Sequence, residues 1–139
     1  MAVQSGRAAV VAMRTLGAEI EGLASRVIGA AIEVHRALGP GHLEAVYHEA
    51  MVIELTLRRI PFVREKPIEV VYRRRRVGEG RVDLLVADRV IVELKAVEAL
   101  APVHTAQVIS YLKATGLRLG LLMNFNVPVL KDGLRRIIV

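Results

Sequence analysis

Two runs near the middle of the chain, Arg81-Val82-Asp83-Leu84-Leu85-Val86 and Val90-Ile91-Val92-Glu93-Leu94-Lys95, mirror one another about Asp88. Both alternate with the period of a β-strand, and the short link between them predicts a hairpin. One face then carries Val82, Leu84, Val86, Val90, Val92 and Leu94, all apolar, and the other carries Arg81, Asp83, Leu85, Ile91, Glu93 and Lys95. Asp83 and Glu93 lie equally far from Asp88, so a symmetric hairpin sets them across from each other with their side chains on one face. Opposed like charges destabilise a sheet and call for compensation. Two arrangements supply it: a bound cation with Lys95 beside it, or an exposed face on which Arg81 and Lys95 neutralise the acids as salt bridges.

The length of 139 residues suits one domain, and the 53% apolar content is enough for a single core. We expect an N-terminal extension over residues 1–19 and the domain over residues 20–139. The first sixteen residues carry Arg7 and Arg14 and no acid, a faint likeness to a targeting peptide, with an apolar run too short for a secretory signal. Cysteine is absent, which excludes disulfides, thiolate metal sites and a cysteine nucleophile and is compatible with a cytoplasmic location. A metal must be held by oxygen or imidazole. The apolar stretches at 8–13 and 137–139 fall far short of the roughly 20 residues that cross a bilayer, so no membrane span is expected. A net charge of +6 favours polyanionic partners, because cations that neutralise phosphates release counterions.

Leu23, Val27, Ala31, Val34 and Leu38 recur at helical spacing until Gly39-Pro40-Gly41 stops the helix. A second helix follows, with Leu43, Val46, Tyr47, Ala50, Ile53 and Leu57 as its expected buried stripe, ending before Pro61. Residues 68–72 read as a strand, Arg73, Arg74, Arg75 and Arg76 as a basic connection, and the hairpin comes next. Residues 104–115 read as a helix closed by Gly116, and 117–125 as a buried strand. The tail, 134–139, reads as a last short strand or a loose end. The order ααβββαβ, with a helix crossing between two strands, predicts a single mixed α/β sheet flanked by helices.

Gly41-His42-Leu43-Glu44-Ala45-Val46-Tyr47 fits a Gly-x-x-Glu-x-x-Tyr signature, and Glu93-Leu94-Lys95 supplies a Glu-x-Lys. With Ala31-Ile32-Glu33-Val34-His35-Arg36-Ala37-Leu38-Gly39-Pro40-Gly41 and Ile91-Val92-Glu93-Leu94-Lys95-Ala96-Val97-Glu98, the chain from about 27 to about 124 resembles the GxxExxY group of the PD-(D/E)xK nuclease superfamily. That resemblance implies an α/β nuclease-like core with acids on its second and third strands. It matches Glu44 to the first-helix acid, Asp83 to the second-strand acid, and Glu93 with Lys95 to the Glu-x-Lys. On a helical wheel Glu44 falls between Met51 and Leu55, facing the protein, but Glu54 falls in the same apolar arc, and only the resemblance prefers Glu44. A first-turn acid also suits the positive end of a helix on its own account.

Gln107 and Tyr111 lie four apart on the third helix and share a face with His104. The exonuclease branch of the same superfamily has a Gln-x-x-x-Tyr pair at about this distance beyond its Glu-x-Lys, which by resemblance makes these two substrate-positioning; the alternative is ordinary helix–sheet packing. His104 stands near the start of that helix, as a phosphate contact or a cap, and His35 is read as a surface or capping histidine. The four arginines, with Tyr72 before them, suit either a nucleic-acid backbone or the charged protection of an edge strand.

These readings point to a metal-dependent nuclease acting on the phosphodiester backbone of DNA. Asp83 and Glu93 would ligate Mg²⁺ or Mn²⁺, with the Leu94 carbonyl and Glu44 completing the set, and Lys95 would assist the attacking water. The alternative is a catalytically inactive module of the same fold that binds nucleic acid or protein. Specificity would need a homodimer, a protein partner, or DNA ends and structure. The chain has no phosphate-cradling glycine loop and no nucleophile with a base beside it, which argues against a small-molecule enzyme.

Overall fold

The computed structural model describes residues 16–139, and most of the expected extension lies outside them. The elements are α1 (Gly17–Leu38), α2 (Glu44–Leu57), β1 (Phe62–Tyr72), β2 (Arg75–Val86), β3 (Val90–Lys95), α3 (Pro102–Thr115), β4 (Leu119–Asn124) and β5 (Leu134–Ile138). The five strands form one sheet in chain order. Neighbouring strands are antiparallel except β3 and β4, which run parallel because α3 carries the chain back between them. The fold is thus the mixed α/β class expected, and the tail is a strand. Among the described residues no helix is long and apolar enough to cross a membrane.

The sheet divides the core in two. Leu84, Val86, Val90, Val92, Leu94, Leu121 and Met123 pack with α1 and α2 through Val27, Ala31, Tyr47, Met51 and Leu55. Leu85, Ile91, Leu122 and Ile137 pack with Val108, Tyr111 and Leu112 of α3. Burying each large aliphatic side chain is worth roughly 1.5–3 kcal/mol, so these alternating runs fix which face each strand residue takes. On the second face α3 lies very close: a Cβ at Gly120 would meet Val108 Cγ1 at 2.4 Å, and one at Gly80 would meet Tyr111 Cε1 at 2.5 Å.

Three expectations are corrected. The buried stripe of α2 is Tyr47, Met51 and Leu55, while Leu43, Ile53 and Leu57 are 78%, 60% and 72% exposed. This helix is apolar around most of its girth, so its pattern offered two stripes and the docking against α1 and the sheet chose between them. The first strand begins at Phe62 rather than 68, and the arginine run is no separate connection: Arg73 and Arg74 are the two-residue turn of the β1–β2 hairpin, and Arg75 and Arg76 open β2. Val82 packs beneath α3 while Leu84 and Val86 face α1 and α2, so the expected all-apolar face is broken at Asp83.

Candidate active site

The β2–β3 hairpin turns through Ala87 and Asp88, both left-handed (φ 49° and 56°), and Arg89 N–H donates to the Val86 carbonyl at 2.9 Å. Val86↔Val90, Leu85↔Ile91 and Leu84↔Val92 pair, the register that mirror symmetry about Asp88 predicts. The ladder stops at the next pair. There Asp83 N–H donates to Glu93 Oε1 at 3.0 Å, and Leu94 N–H donates to Asp83 Oδ2 at 2.8 Å. Each carboxylate thus takes the backbone proton that a regular strand pair would give to a carbonyl. On the other side of β2 the pairing with β1 passes from Arg64↔Leu84 to Lys66↔Val82 across Glu65, which is left-handed at φ 51°. The two breaks together let Val82 and Leu84, two apart in the chain, face opposite sides of the sheet.

Glu93 is 3% exposed. Burial, then the charge of Asp83, push its carboxyl up to about 8, while Lys95 pulls the other way. Near neutral pH this environment therefore favours the protonated form of Glu93. Lys95 ends β3 half-buried, paired in register with Asn124 of β4. Asn124 is buried and fixes the chain just beyond: its Oδ1 accepts from Val97 N–H at 3.0 Å and its Nδ2 donates to the Val97 carbonyl at 2.9 Å.

Glu44 opens α2 and is exposed. It lines a surface cleft of about 250 Å³ with His48, Glu49, Arg64, Glu65 and Asp83. Glu54, the rival acid, is committed to Arg58, 2.7 Å away. Tyr47 explains the end of the Gly-x-x-Glu-x-x-Tyr segment: its ring stacks on Phe125 at 4.7 Å, its hydroxyl donates to the Gly39 carbonyl at 2.6 Å, and it accepts from His42 N–H at 3.1 Å. The tyrosine thereby fastens the turn that sets Glu44 at the helix start. His48, which sequence reasoning missed, donates from Nε2 to the Asp83 carbonyl at 3.3 Å and accepts from Arg64 at Nδ1. Its spacing of four from Glu44, one helical turn along the same face, was the available signal.

Other expected residues stand elsewhere. Tyr111 is buried against Gly80 and lines a different hollow, between α3 and Glu69, Val70 and Val71 of β1. Gln107 is exposed on α3. His104 caps that helix, its Nδ1 accepting from Ala101 N–H at 2.9 Å, and His35 holds the Val127 carbonyl at 2.7 Å from Nε2. Among the described residues no three His, Asp or Glu side chains gather as they would around a metal ion. The donors that fit a hard cation are the opposed carboxyls of Asp83 and Glu93, and such an ion would favour the ionised form of Glu93 that burial and Asp83 oppose.

Comparison with known proteins gives a family match that covers most of the chain. No curated protein and no solved structure matches. The sequence model of the PD-(D/E)XK nuclease superfamily matches residues 21–137, a span that runs from the first turns of α1 into β5 and includes Asp83 and Glu93. With a mixed sheet whose second and third strands carry opposed acids, this chain belongs to the PD-(D/E)XK nuclease superfamily.

Proposed function

We propose that the protein is a metal-dependent nuclease of the GxxExxY group that hydrolyses DNA phosphodiester bonds. The observation that carries this reading is the buried Glu93 carboxyl, pushed up to about 8 beside Asp83 at the point where the β2–β3 ladder stops. An acid kept there at a cost to folding is a functional-site signature. Asp83 and Glu93, with the Leu94 carbonyl and Glu44, would hold Mg²⁺ or Mn²⁺. When bound, the ion supplies charge neutralisation at the phosphoryl group and a water of lowered pKa. Lys95 would orient the attacking water and stabilise developing charge as a compact cation. His48, bonded to the Asp83 carbonyl, would steady the strand beneath the cleft. Gln107 would touch substrate from α3, with Tyr111 positioning that helix on Gly80, and Arg73, Arg74, Arg75, Arg76 and His104 would meet the nucleic-acid backbone. The lack of cysteine supports a cytoplasmic setting.

Purified protein with Mg²⁺ or Mn²⁺ should cut linear, nicked or single-stranded DNA, and Asp83→Ala should abolish the cutting. Intact DNA in every case would reject turnover. A second reading, a binding module without turnover, is favoured by the exposed position of Glu44 and by the absence, among the described residues, of three His, Asp or Glu side chains gathered as around a metal ion. Calorimetric titration of Mn²⁺ into wild type and Glu93→Gln separates the two: a salt-bridged face without a site takes up no metal in either protein.

A further inference from the structure

The β1–β2 hairpin extends well past the acid pair and is built unlike the rest of the sheet. Within β1 only Ile68 is buried, and from Arg75 to Arg81 only Gly78 and Gly80 are even partly covered. Val71, Tyr72 and Val77 are 56%, 63% and 62% exposed, although strand residues of this kind ordinarily mark a core face. Val70 pairs with Gly78 and Val71 with Arg76, leaving Val77 as a bulge that adds twist near the tip. At the tip Arg73 and Arg74 occupy left-handed conformations (φ 49° and 65°) in a two-residue turn, positions that favour Asn-Gly. Arg73 lies on the Tyr72 ring, 5.6 Å from its centroid, and Arg76 is held by Glu79 and Glu69. Among the described residues Arg74, Arg75 and Arg81 have no ion-pair partner.

We propose that this ribbon grips duplex DNA by entering the major groove, a reading that rests on the nuclease assignment and specifies its substrate as double-stranded. Charge and shape both select that occupant. Arginines at a turn where glycine or asparagine would fit best supply charge for phosphates at the expense of turn geometry. The major groove of B-form DNA admits a two-stranded ribbon, whereas that of A-form RNA is too deep and narrow to read. Ribbon and acid pair share one strand. Arg75 and Asp83 are eight residues apart along β2, roughly 25 Å at about 3.3 Å per residue, so the tip meets the duplex some seven to eight base pairs from the bond being cut.

The test is fluorescence anisotropy in chelator, which reads binding apart from cleavage, on duplex DNA, the same sequence single-stranded, and duplex RNA. Replacing the turn by Arg73→Asn with Arg74→Gly should weaken duplex DNA binding about tenfold and lower the log–log salt slope by about 1.8, the share of two phosphate contacts. The thermal midpoint should hold or rise, because Asn-Gly suits the turn. Arg75→Ser, outside the turn, should weaken duplex binding in the same direction. Unchanged duplex affinity, an equal loss on single strands, or tighter binding of duplex RNA would each overturn the grip. Cleavage that persists while the turn variant binds as wild type overturns the grip and leaves the acid pair untouched. Glu93→Gln that binds duplex normally but does not cut concerns the acid pair alone.

Discussion

The two halves of β2 are made of one strand and live by opposite rules. From Val82 to Val86 four of the five residues are buried, and the acid in this half, Asp83, accepts a backbone N–H of β3 at its carboxylate. From Arg75 to Arg81 nothing is fully buried and the charges stand in water. Charge is expensive in the inner half and nearly free in the outer half. A costly pair such as Asp83 and Glu93 therefore says more about function than a longer run of exposed arginines, and the arginines gain meaning only from where the ribbon carries them.

The contrast is sharpest in catalysis. Glu93→Gln should lower Mg²⁺-dependent DNA cleavage by more than about 10³-fold, several kcal/mol of lost charge stabilisation, measured by initial rates on linear duplex. Next in size, Leu84→Ala in the inner half should cost about 2–5 kcal/mol in urea unfolding. The pH response follows from Glu93. The folded state keeps its proton up to about 8, whereas the unfolded chain releases it near 4.5. In metal-free protein the contribution of this group should therefore be fully present below 4.5, fall by roughly 5 kcal/mol as pH rises to about 8, and change no further above it. Thermal midpoints in chelator across this range would show it, and Glu93→Gln should flatten the slope; a slope that survives the substitution assigns it to another group. Smallest of all, Val71→Ala in the outer half should shift stability by less than about 0.5 kcal/mol. A large loss there would mean that the ribbon is part of the core after all.

The opposition of Asp83 and Glu93 was legible because hairpin register is arithmetic once the turn is placed. The rest of the cleft was not. Glu44 and His48 face Asp83 only because α2 docks through Tyr47, Met51 and Leu55, and a helix apolar on most sides does not announce its rotation. Val82 misled for another reason: strict alternation presumes an unbroken ladder, and the two carboxylates break it by capturing backbone N–H groups. Tyr111 was found as part of a motif, but its packing on Gly80 depends on the crossing of α3 over the sheet.

Periodicity, turn residues and mirror spacing, all local, determined by themselves the α/β class, the order of the elements as far as β4, the register of the β2–β3 hairpin and the two acids on it. Tertiary structure decided which stripe of α2 is buried, which face Val82 takes, that the arginines crown a projecting ribbon, and that Glu93 sits in a medium poor enough in water to hold its proton near neutrality. Those depend on which surfaces meet, and burial is a property of the assembled fold that no short stretch of chain contains.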